Sequence, residues 1–418
     1  MKITRFFKSA VSVILLSGLL SSVFACAPAG VSAEDLMKDV TPSAGTTQTA
    51  DKKITETVDF AVKLMQTAEE EGKNTLLSHL SVLAALAMTQ NGAEGNTLSE
   101  MENTLGTDRE GLNGFLSEYL RTLPGGDNYK INVANSIWFT NDSRLTVKAD
   151  FLQKNADTYG ADIFKAPFDK TTLRDINNWV EEETDGMIKN ILDRIPSDAI
   201  MYLVNALAFE AEWMDMYQKH QVKKGDFHSA DGSIQKAEFM NGAEGKYLSD
   251  GDAEGFVKYY SGGKYAFAAL LPREGLSLSD YIASLDGERL LKTLSEAEYT
   301  TVHSSIPKFE VEYGCEMAGI LGNMGIKDAF DSYKADFSGL GSSTAGNIFI
   351  SRVIHKTYIS VAEQGTRAGA ATIVEMADGA SPEMIEPKEV CLDRPFLYMI
   401  IDCETNIPIF MGTLNSVK

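Results

Sequence analysis

A run of small residues between two strand-like stretches constrains this chain more than any other feature. Residues 365–372 read Gly-Thr-Arg-Ala-Gly-Ala-Ala-Thr, and they follow a strand-like run over residues 355–361. The terminal strands begin only after a further stretch of mixed loop composition, and a connection longer than about 12–15 residues is unusual and often functional. A flexible linker would favour Gly and Ser, whereas this run continues into Ile373 and Val374, which favour strands.

The spacing of the small residues is that of a strand. Successive side chains of a strand point to opposite faces. One face therefore carries only small side chains, those of Thr366, Ala368, Ala370 and Thr372. Such a face suits a strand that is squeezed between two others above a packed core. The sequence predicts a segment that can be an exposed loop, with Thr366 near solvent, or a central strand.

The rest of the chain has the pattern of one large domain. Its composition, 44% hydrophobic and 23% charged among 418 residues, is that of a globular protein. Helical spacing of apolar residues dominates the early part, and strand-like runs dominate the later part. Neither an internal repeat nor a Pro-, Gly- or Ser-rich linker divides it. The pattern predicts an α+β fold over residues 51–418.

The N-terminus has the pattern of a secretion signal. Three cations precede an apolar stretch at 11–25, which is too short for a comfortable membrane span. The stretch ends in Val-Phe-Ala-Cys and resembles a bacterial lipobox, in which Cys26 becomes the lipidated first residue; ordinary cleavage after Ala33 is the alternative. We expect a signal peptide at 1–25, a flexible tether at 26–50 and an extracellular or cell-surface protein held by a lipid anchor.

Net charge argues against several classes of partner, and cysteine content argues against a disulfide-stabilised fold. Without the signal, the chain has 35 basic and 59 acidic residues, a formal charge of −24. It contains no run of basic residues, so nucleic acid, glycosaminoglycans and anionic membrane surfaces are poor partners. Four cysteines in 418 residues are too few for a disulfide framework.

Motifs of catalysis and metal binding are absent from the sequence. It has no Gly-x-Ser-x-Gly elbow, no phosphate loop, no dinucleotide-binding fingerprint and no His-Glu-x-x-His. The five histidines lack metal spacing, and the cysteines lack Cys-x-x-Cys spacing. We therefore expect a protein that is not an enzyme and that holds no metal and no cofactor.

Short motifs along the whole body resemble those of the serpins, a family of serine protease inhibitors, and they occur in the family's order. The matching segments are 74–88, 176–188, 203–213, 306–309, 329–330, 335–339, 355–356, 394–396 and 410–412. Three positions depart from the family pattern: His79 stands where Pro is usual, and Glu210 and Ala211 stand where Lys and Gly are usual. The number of matches in register identifies the chain as a member of this family.

The resemblance implies both a fold and a mechanism. The serpin fold is a single domain with a large mixed central β-sheet, further sheets, about eight or nine helices and an exposed reactive-centre loop, here at about residues 363–392. A target protease cleaves the loop and forms an acyl-enzyme, and the cut hinge then inserts into the central sheet before deacylation. The resemblance thus implies a monomeric suicide-substrate inhibitor of serine proteases.

The resemblance also assigns roles to individual residues. The hinge comprises Glu363, Gly365, Thr366, Ala368, Gly369, Ala370, Ala371 and Thr372. The breach, where the hinge enters the top of the sheet, comprises Trp213, Lys308 and Glu363, with Lys308 paired to Glu363. The shutter, a polar cluster under the centre of the sheet, comprises Ser78, Ser81, Asn205 and His355.

The family's spacing places the reactive bond at Gly379–Ala380, 16 residues after Glu363. Glycine is a poor anchor for most proteases, so three neighbouring bonds remain alternatives: Met376–Ala377, Ala380–Ser381 and Met384–Ile385. Residues 368–387 contain no Lys, Arg or aromatic residue, so trypsin-like and chymotrypsin-like pockets have nothing to bind. Small apolar pockets, as in elastase-like or subtilisin-like proteases, suit the loop.

Two alternative functions stay open. Glu375 and Asp378 would suit an acid-directed protease, including a cysteine protease. A serpin that acts as a carrier or chaperone, without inhibiting, would be indicated by bulky or charged side chains at the inward hinge positions. The small residues on that face favour the inhibitory type.

Overall fold

The computed structural model describes residues 32–43, 53–123, 129–196, 199–366 and 386–418. Several predicted features lie outside the described residues. These are the signal peptide, Cys26, the hinge residues Ala368, Gly369, Ala370, Ala371 and Thr372, and the candidate bond residues Met376, Ala377, Gly379, Ala380, Ser381, Met384 and Ile385.

Nine α-helices lie in the described part of the chain. They are α1 (Ile54–Ala68), α2 (His79–Gln90), α3 (Gly95–Leu105), α4 (Arg109–Thr122), α5 (Ala149–Tyr159), α6 (Lys170–Glu183), α7 (Leu278–Ala283), α8 (Gly287–Ser295) and α9 (Ala318–Met324). Two short 3-10 segments, Lys219–Gln221 and Asp328–Phe330, accompany them. The expectation of eight or nine helices is confirmed.

The strands of the described residues are concentrated in the second half of the chain. They are β1 (Glu34–Asp35), β2 (Thr75–Leu77), β3 (Tyr129–Thr140), β4 (Leu145–Val147), β5 (Asp162–Ala166), β6 (Met201–Glu212), β7 (Val222–His228), β8 (Ile234–Ser249), β9 (Ala253–Tyr259), β10 (Tyr265–Pro272), β11 (Glu298–Pro307), β12 (Phe309–Glu316), β13 (Gly341–Ser343), β14 (Arg352–Ala362), β15 (Gly365–Thr366), β16 (Lys388–Cys391), β17 (Phe396–Asp402) and β18 (Pro408–Leu414).

These strands form two large sheets and one small ribbon. The central sheet has seven strands in the order β1-β5-β3-β6-β15-β14-β12, and it is mixed because β3 with β5 and β6 with β14 are parallel. The second sheet has nine strands: eight follow the order β16-β11-β8-β9-β10-β17-β18-β2, and β7 pairs with β8. The small ribbon consists of β4 and β13. The predicted α+β fold with a large mixed central sheet is confirmed.

Strand β6 is buried on both faces, as the apolar run at its start indicates. Met201, Leu203 and Leu207 belong to the main core, whereas Tyr202 and Val204 belong to a second apolar cluster. The second cluster also contains the apolar face of α6, so that helix covers the outer side of the sheet. A continuous apolar sequence is typical of a strand covered on both sides.

Helix α2 lies inside the protein. All of its residues are buried, and its sequence is apolar on nearly every side. Ser78 caps it, because the Ser78 Oγ accepts a hydrogen bond from the amide of Ser81 at 3.4 Å. A helix without a polar face must be covered all round, and α2 contacts strands of both large sheets.

Part of the predicted tether packs against the body, so the prediction of a flexible tether over 26–50 is wrong for residues 32–43. Glu34 and Asp35 pair with β5 as an extra edge strand. The Ser32 hydroxyl donates a hydrogen bond to the Asp175 carboxylate at 2.7 Å, and Met37 is buried. An edge strand offers unpaired backbone groups to any segment that can reach it. Composition gave no sign of this contact because it depends on a partner far along the chain.

The expectation that Thr366 lies near solvent is also wrong. Strand β15 already lies between β6 and β14, with Thr366 opposite Ala211 on one side and Val361 on the other. Thr366 is fully buried, and its Oγ1 is 2.6 Å from the Tyr260 hydroxyl. A tight turn at residues 363–364 folds the chain back on β14 and carries the first hinge residues into the sheet.

Candidate functional site

The site is the cleft between β6 and β14, at the end where β15 enters. The two strands pair directly over residues 202–207 and 352–357, and beyond that they part. Gly365 and Thr366 fill the far end of the gap. Gly365 fits there because it lacks a side chain: a Cβ would lie 2.0 Å from the Ala211 carbonyl oxygen. The structure therefore holds the start of a further strand in place.

An ion pair closes the top of this cleft. The Lys308 Nζ lies 2.9 Å from the Glu363 carboxylate and 3.1 Å from that of Glu238. Hydrogen bonding to Glu363 raises the pKa of Lys308. Burial alone would raise the pKa of Glu363, but the hydrogen bond and charge of Lys308 outweigh it and lower that pKa. The structure thus brings together the two residues assigned to the breach, in a half-exposed pair worth about 1 kcal/mol or less.

Trp213, the third breach residue, holds the turn from beneath. Its Nε1 donates a hydrogen bond to the Ala362 carbonyl at 2.8 Å, and its amide donates to the Gln364 carbonyl at 2.8 Å. The indole stacks on Tyr260 with ring centroids 4.4 Å apart, and Tyr260 in turn contacts Thr366. The turn that starts the hinge is therefore held by both hydrogen bonds and aromatic packing.

Lys258 is a breach residue that sequence reasoning missed. It is buried, its Nζ is 3.2 Å from the Glu244 carboxylate, and it lies over the rings of Trp213 and Tyr217 at 5.4 and 4.4 Å. Burial raises the pKa of Glu244 although Lys258 opposes the shift. A charged residue within the apolar run at 256–260 was the available signal. Removing either partner would leave an unpaired buried charge.

The shutter residues lie together beneath the middle of the sheet. The His355 Nδ1 is 2.5 Å from the Asn205 Oδ1, and its Nε2 accepts a hydrogen bond from the Ser78 amide at 3.2 Å. Asn135, which the sequence did not indicate, lies between the side chains of Ser81 and Asn205, at 3.4 and 3.1 Å. His355 and Asn205 stand opposite each other on β14 and β6, so their contact spans the line along which these strands would separate.

His79 and His355 are two buried imidazoles in this region. Burial lowers the pKa of His355 to about 3. Burial also lowers the pKa of His79 to about 3; the Pro408 carbonyl opposes this shift, and His355 adds to it. In the described residues, no hydrogen bond of standard geometry reaches either ring nitrogen of His79. Both side chains are therefore neutral in the folded protein.

Acid is expected to destabilise the protein through these histidines. The unfolded pKa is about 6.5 and the folded values are about 3. The unfolded state thus binds more protons between these values, and stability is full above pH 6.5 and is lost as the pH falls toward 3. Each histidine accounts for about 2 kcal/mol at pH 5. The free energy of unfolding, measured with denaturant at pH 7.5 and at pH 5, should fall less between these pH values for His79→Phe than for the wild type.

The exposed His228 provides the control for this measurement. His228→Gln should leave the difference between pH 7.5 and pH 5 as it is in the wild type. An unchanged difference in His79→Phe would contradict a buried, neutral His79.

The described residues show neither a metal centre nor a membrane-spanning helix. No group of three or more His, Cys, Asp or Glu side chains within them could hold a metal ion. None of the helices they form is long and apolar enough to cross a membrane.

Comparisons with known proteins agree with this architecture. The family model for Serpin (serine protease inhibitor) matches residues 55–417. An uncharacterised serpin-like protein of Thermococcus kodakarensis is 30% identical over 368 residues, which cover 86% of this chain and 84% of that protein. Leukocyte elastase inhibitor A of Mus musculus is 28% identical over 380 residues, or 85% and 97% of the two chains.

Solved structures extend the likeness to three dimensions. The native state of the thermophilic serpin tengpin has 44% sequence identity and a TM-score of 0.88, over 92% of this chain and all of that chain. Tengpin in its latent state gives a TM-score of 0.78. The chain belongs to the serpin family, whose members generally inhibit serine proteases.

Proposed function

We propose that this protein is an inhibitory serpin, which traps serine proteases by loop cleavage and insertion of the hinge. The observation that supports this most is β15, because Gly365 and Thr366 already lie as a strand between β6 and β14. The protease's serine attacks the carbonyl of the reactive bond and forms an ester, and the chain beyond that bond leaves as an amine. The hinge, released from the second sheet, is then free to extend β15.

The register of β15 defines where the inserted residues would lie. Thr366 pairs with Ala211, so continuing antiparallel to β6 places Ala368 opposite Phe209 and Ala370 opposite Leu207. These positions share the inward face of Thr366, where only small side chains fit over the core. The small-residue alternation in the sequence therefore suits a strand that extends β15 once β6 and β14 part.

Insertion must also open the direct pairing between β6 and β14. Six residue pairs join these strands over 202–207 and 352–357, including Asn205 with His355. The shutter hydrogen bond acts as a latch, because it breaks as the strands separate. The new strand then makes ladder hydrogen bonds on both sides, which offsets the loss and drives the insertion forward.

The loop composition supports a target with a small apolar primary pocket. Residues 368–387 offer Ala, Met, Val, Ile and Gly but no basic or aromatic anchor. Elastase-like and subtilisin-like serine proteases have pockets of this kind, and one relative is an inhibitor of leukocyte elastase by name. Gly379–Ala380 remains the first candidate for the reactive bond, and a cysteine protease remains the alternative target.

A gel assay tests the proposal. The purified protein is mixed with pancreatic elastase or subtilisin, and the products are separated in SDS. A band at the summed mass that resists SDS supports inhibition by trapping. Cleavage without such a band would point instead to a carrier-like or chaperone-like serpin. Mass spectrometry of the released C-terminal fragment identifies the reactive bond.

Export and lipid attachment at Cys26 form a second part of the proposal. The contacts of Ser32 with Asp175 support cleavage before Ser32 rather than after Ala33, since the latter would remove them. The N-terminal peptide of the membrane fraction should carry a lipid on Cys26, detectable by mass spectrometry. Cys26→Ser should abolish membrane attachment, and a free N-terminus at Glu34 would contradict the proposal.

Heparin is expected to leave the inhibition rate unchanged within about twofold. The exported chain carries a formal charge of −24, which repels polyanions at long range. The rate constant for inhibition should be measured with and without heparin at low and at physiological salt. A severalfold acceleration would show that a local basic surface overrides the net charge.

A further inference from the structure

An exposed tyrosine held by a lysine stands at the start of β11. Tyr299 is 77% exposed, one of four large apolar or aromatic side chains with high exposure among the described residues. The Lys246 Nζ lies 5.2 Å from the centre of its ring and 5.5 Å from that of Tyr259. Exposed aromatic rings of this kind are typical of contact surfaces, since tyrosine offers a large rigid face and a hydroxyl.

This tyrosine lies beside the point where the reactive loop returns to the body. Strand β16 begins at Lys388, directly after the loop, and it pairs in parallel with β11 so that Lys388 stands opposite Val302. The two residues before Lys388 therefore approach the start of β11, where Tyr299 lies. Only eight residues separate the first candidate bond, Gly379–Ala380, from Lys388. Such a segment spans at most about 28 Å.

We propose that Tyr299, held by Lys246, contacts the target protease on the side that binds the residues after the reactive bond. This inference rests on the proposed inhibitory function. A bond within eight residues of Lys388 keeps the bound protease within about 28 Å of Lys388, so that its surface can reach the start of β11. Acidic Glu298, Glu386 and Glu389 lie close to Lys246 and Lys388, so the lysines do not form a basic surface here. The contact is therefore aromatic and apolar in kind rather than ionic.

The position of Tyr299 limits the step in which it can act. When the reactive bond is cut, the segment ending in β16 stays with the second sheet. The protease stays bound to the hinge side and leaves this surface as the hinge inserts. Tyr299 therefore assists the first encounter, and it contributes neither to the partition between trapping and release nor to the final complex.

Kinetics with matched tyrosine variants test this assignment. Tyr299→Ala should lower the second-order rate constant of inhibition at least about fivefold with pancreatic elastase or subtilisin, whichever is trapped. The stoichiometry of inhibition of this variant should equal that of the wild type. The decrease in its rate constant should be the same at low and at high salt. Tyr299→Phe keeps the ring and should keep most of the rate.

Tyr333 supplies the control, because it is 92% exposed but distant from the loop. Its segment contacts the start of β14, where the Ile350 amide donates to the Ala329 carbonyl, roughly 35 Å along that strand from Glu363. Tyr333→Ala should inhibit at the wild-type rate.

Three outcomes would overturn the inference. Equal rates for Tyr299→Ala and Tyr333→Ala would exclude a contact at Tyr299, and the proposed function would stand. A raised stoichiometry at an unchanged rate would assign Tyr299 to the insertion step instead. A wild-type protein that traps neither protease would remove the proposed function and this inference together.

Discussion

Cleavage of the reactive loop is expected to raise the melting temperature of this protein by about 8 °C. Among the described residues of the intact chain, β15 consists of Gly365 and Thr366, between β6 and β14. Extending it by six residues adds backbone hydrogen bonds on both sides, at about 1 kcal/mol for each inserted residue. For a folded body of about 370 residues, with an unfolding entropy of about 2.1 cal/mol/K per residue, each kcal/mol shifts the melting temperature by about 1.3 °C. A proteolytic nick normally loosens a fold, so the sign of the change is diagnostic.

The measurement compares thermal unfolding of intact and cleaved protein by circular dichroism. Mass spectrometry must first show that the cut lies between residues 376 and 385. An unchanged or lower melting temperature after such a cut would rule out insertion of the hinge. The variant described next offers a control in which insertion is blocked.

Thr366→Arg is expected to destabilise the intact protein by several kcal/mol and to turn an inhibitor into a substrate. Thr366 is fully buried between two strands, with its Oγ1 against the Tyr260 hydroxyl. A guanidinium there would be buried without a partner, which costs several kcal/mol, or would force β15 out of the sheet. Insertion of the hinge would then be slower than deacylation, so the protease would be released active. The stoichiometry of inhibition would increase steeply.

Two smaller substitutions at Thr366 distinguish the effect of the lost hydroxyl on stability from the effect of a buried charge. Thr366→Ser keeps the hydroxyl and should stay close to the wild type. Thr366→Val keeps the volume but leaves the Tyr260 hydroxyl unsatisfied, at a cost of about 1–3 kcal/mol. Melting temperatures and inhibition stoichiometries of all three variants give the test. A Thr366→Arg protein with wild-type values of both would show that residues 365–366 do not lie inside the sheet.

Local patterns were sufficient for the fold class and for the main strands. The apolar run at the start of β6 predicts a strand buried on both faces, and the all-apolar sequence of α2 predicts a helix inside the core. Helix α6 ends at Glu183. Asp185 and Gly186 follow with positive φ, which turns the chain out of the helix. Periodicity identified the element, and backbone geometry set its end.

The hinge shows how far sequence reasoning reaches. Alternation of small side chains indicates a segment able to become a strand, and that property is local. The burial of Gly365 and Thr366 in the sheet depends on the width of the gap between β6 and β14. It also depends on the Tyr260 hydroxyl, which lies within hydrogen-bond distance of the Thr366 Oγ1. No pattern within residues 363–372 encodes that width.

By itself, the sequence determined the α+β class, the charge that repels polyanions, and the alternation of small side chains in the hinge. Only the tertiary structure decided that Thr366 is already buried, that Glu34 and Asp35 add an edge strand, and that Lys258 lies over the ring of Trp213. The reason is physical. Side-chain size, charge and periodicity belong to each segment alone, whereas burial, strand pairing and buried ion pairs arise between segments far apart in the chain.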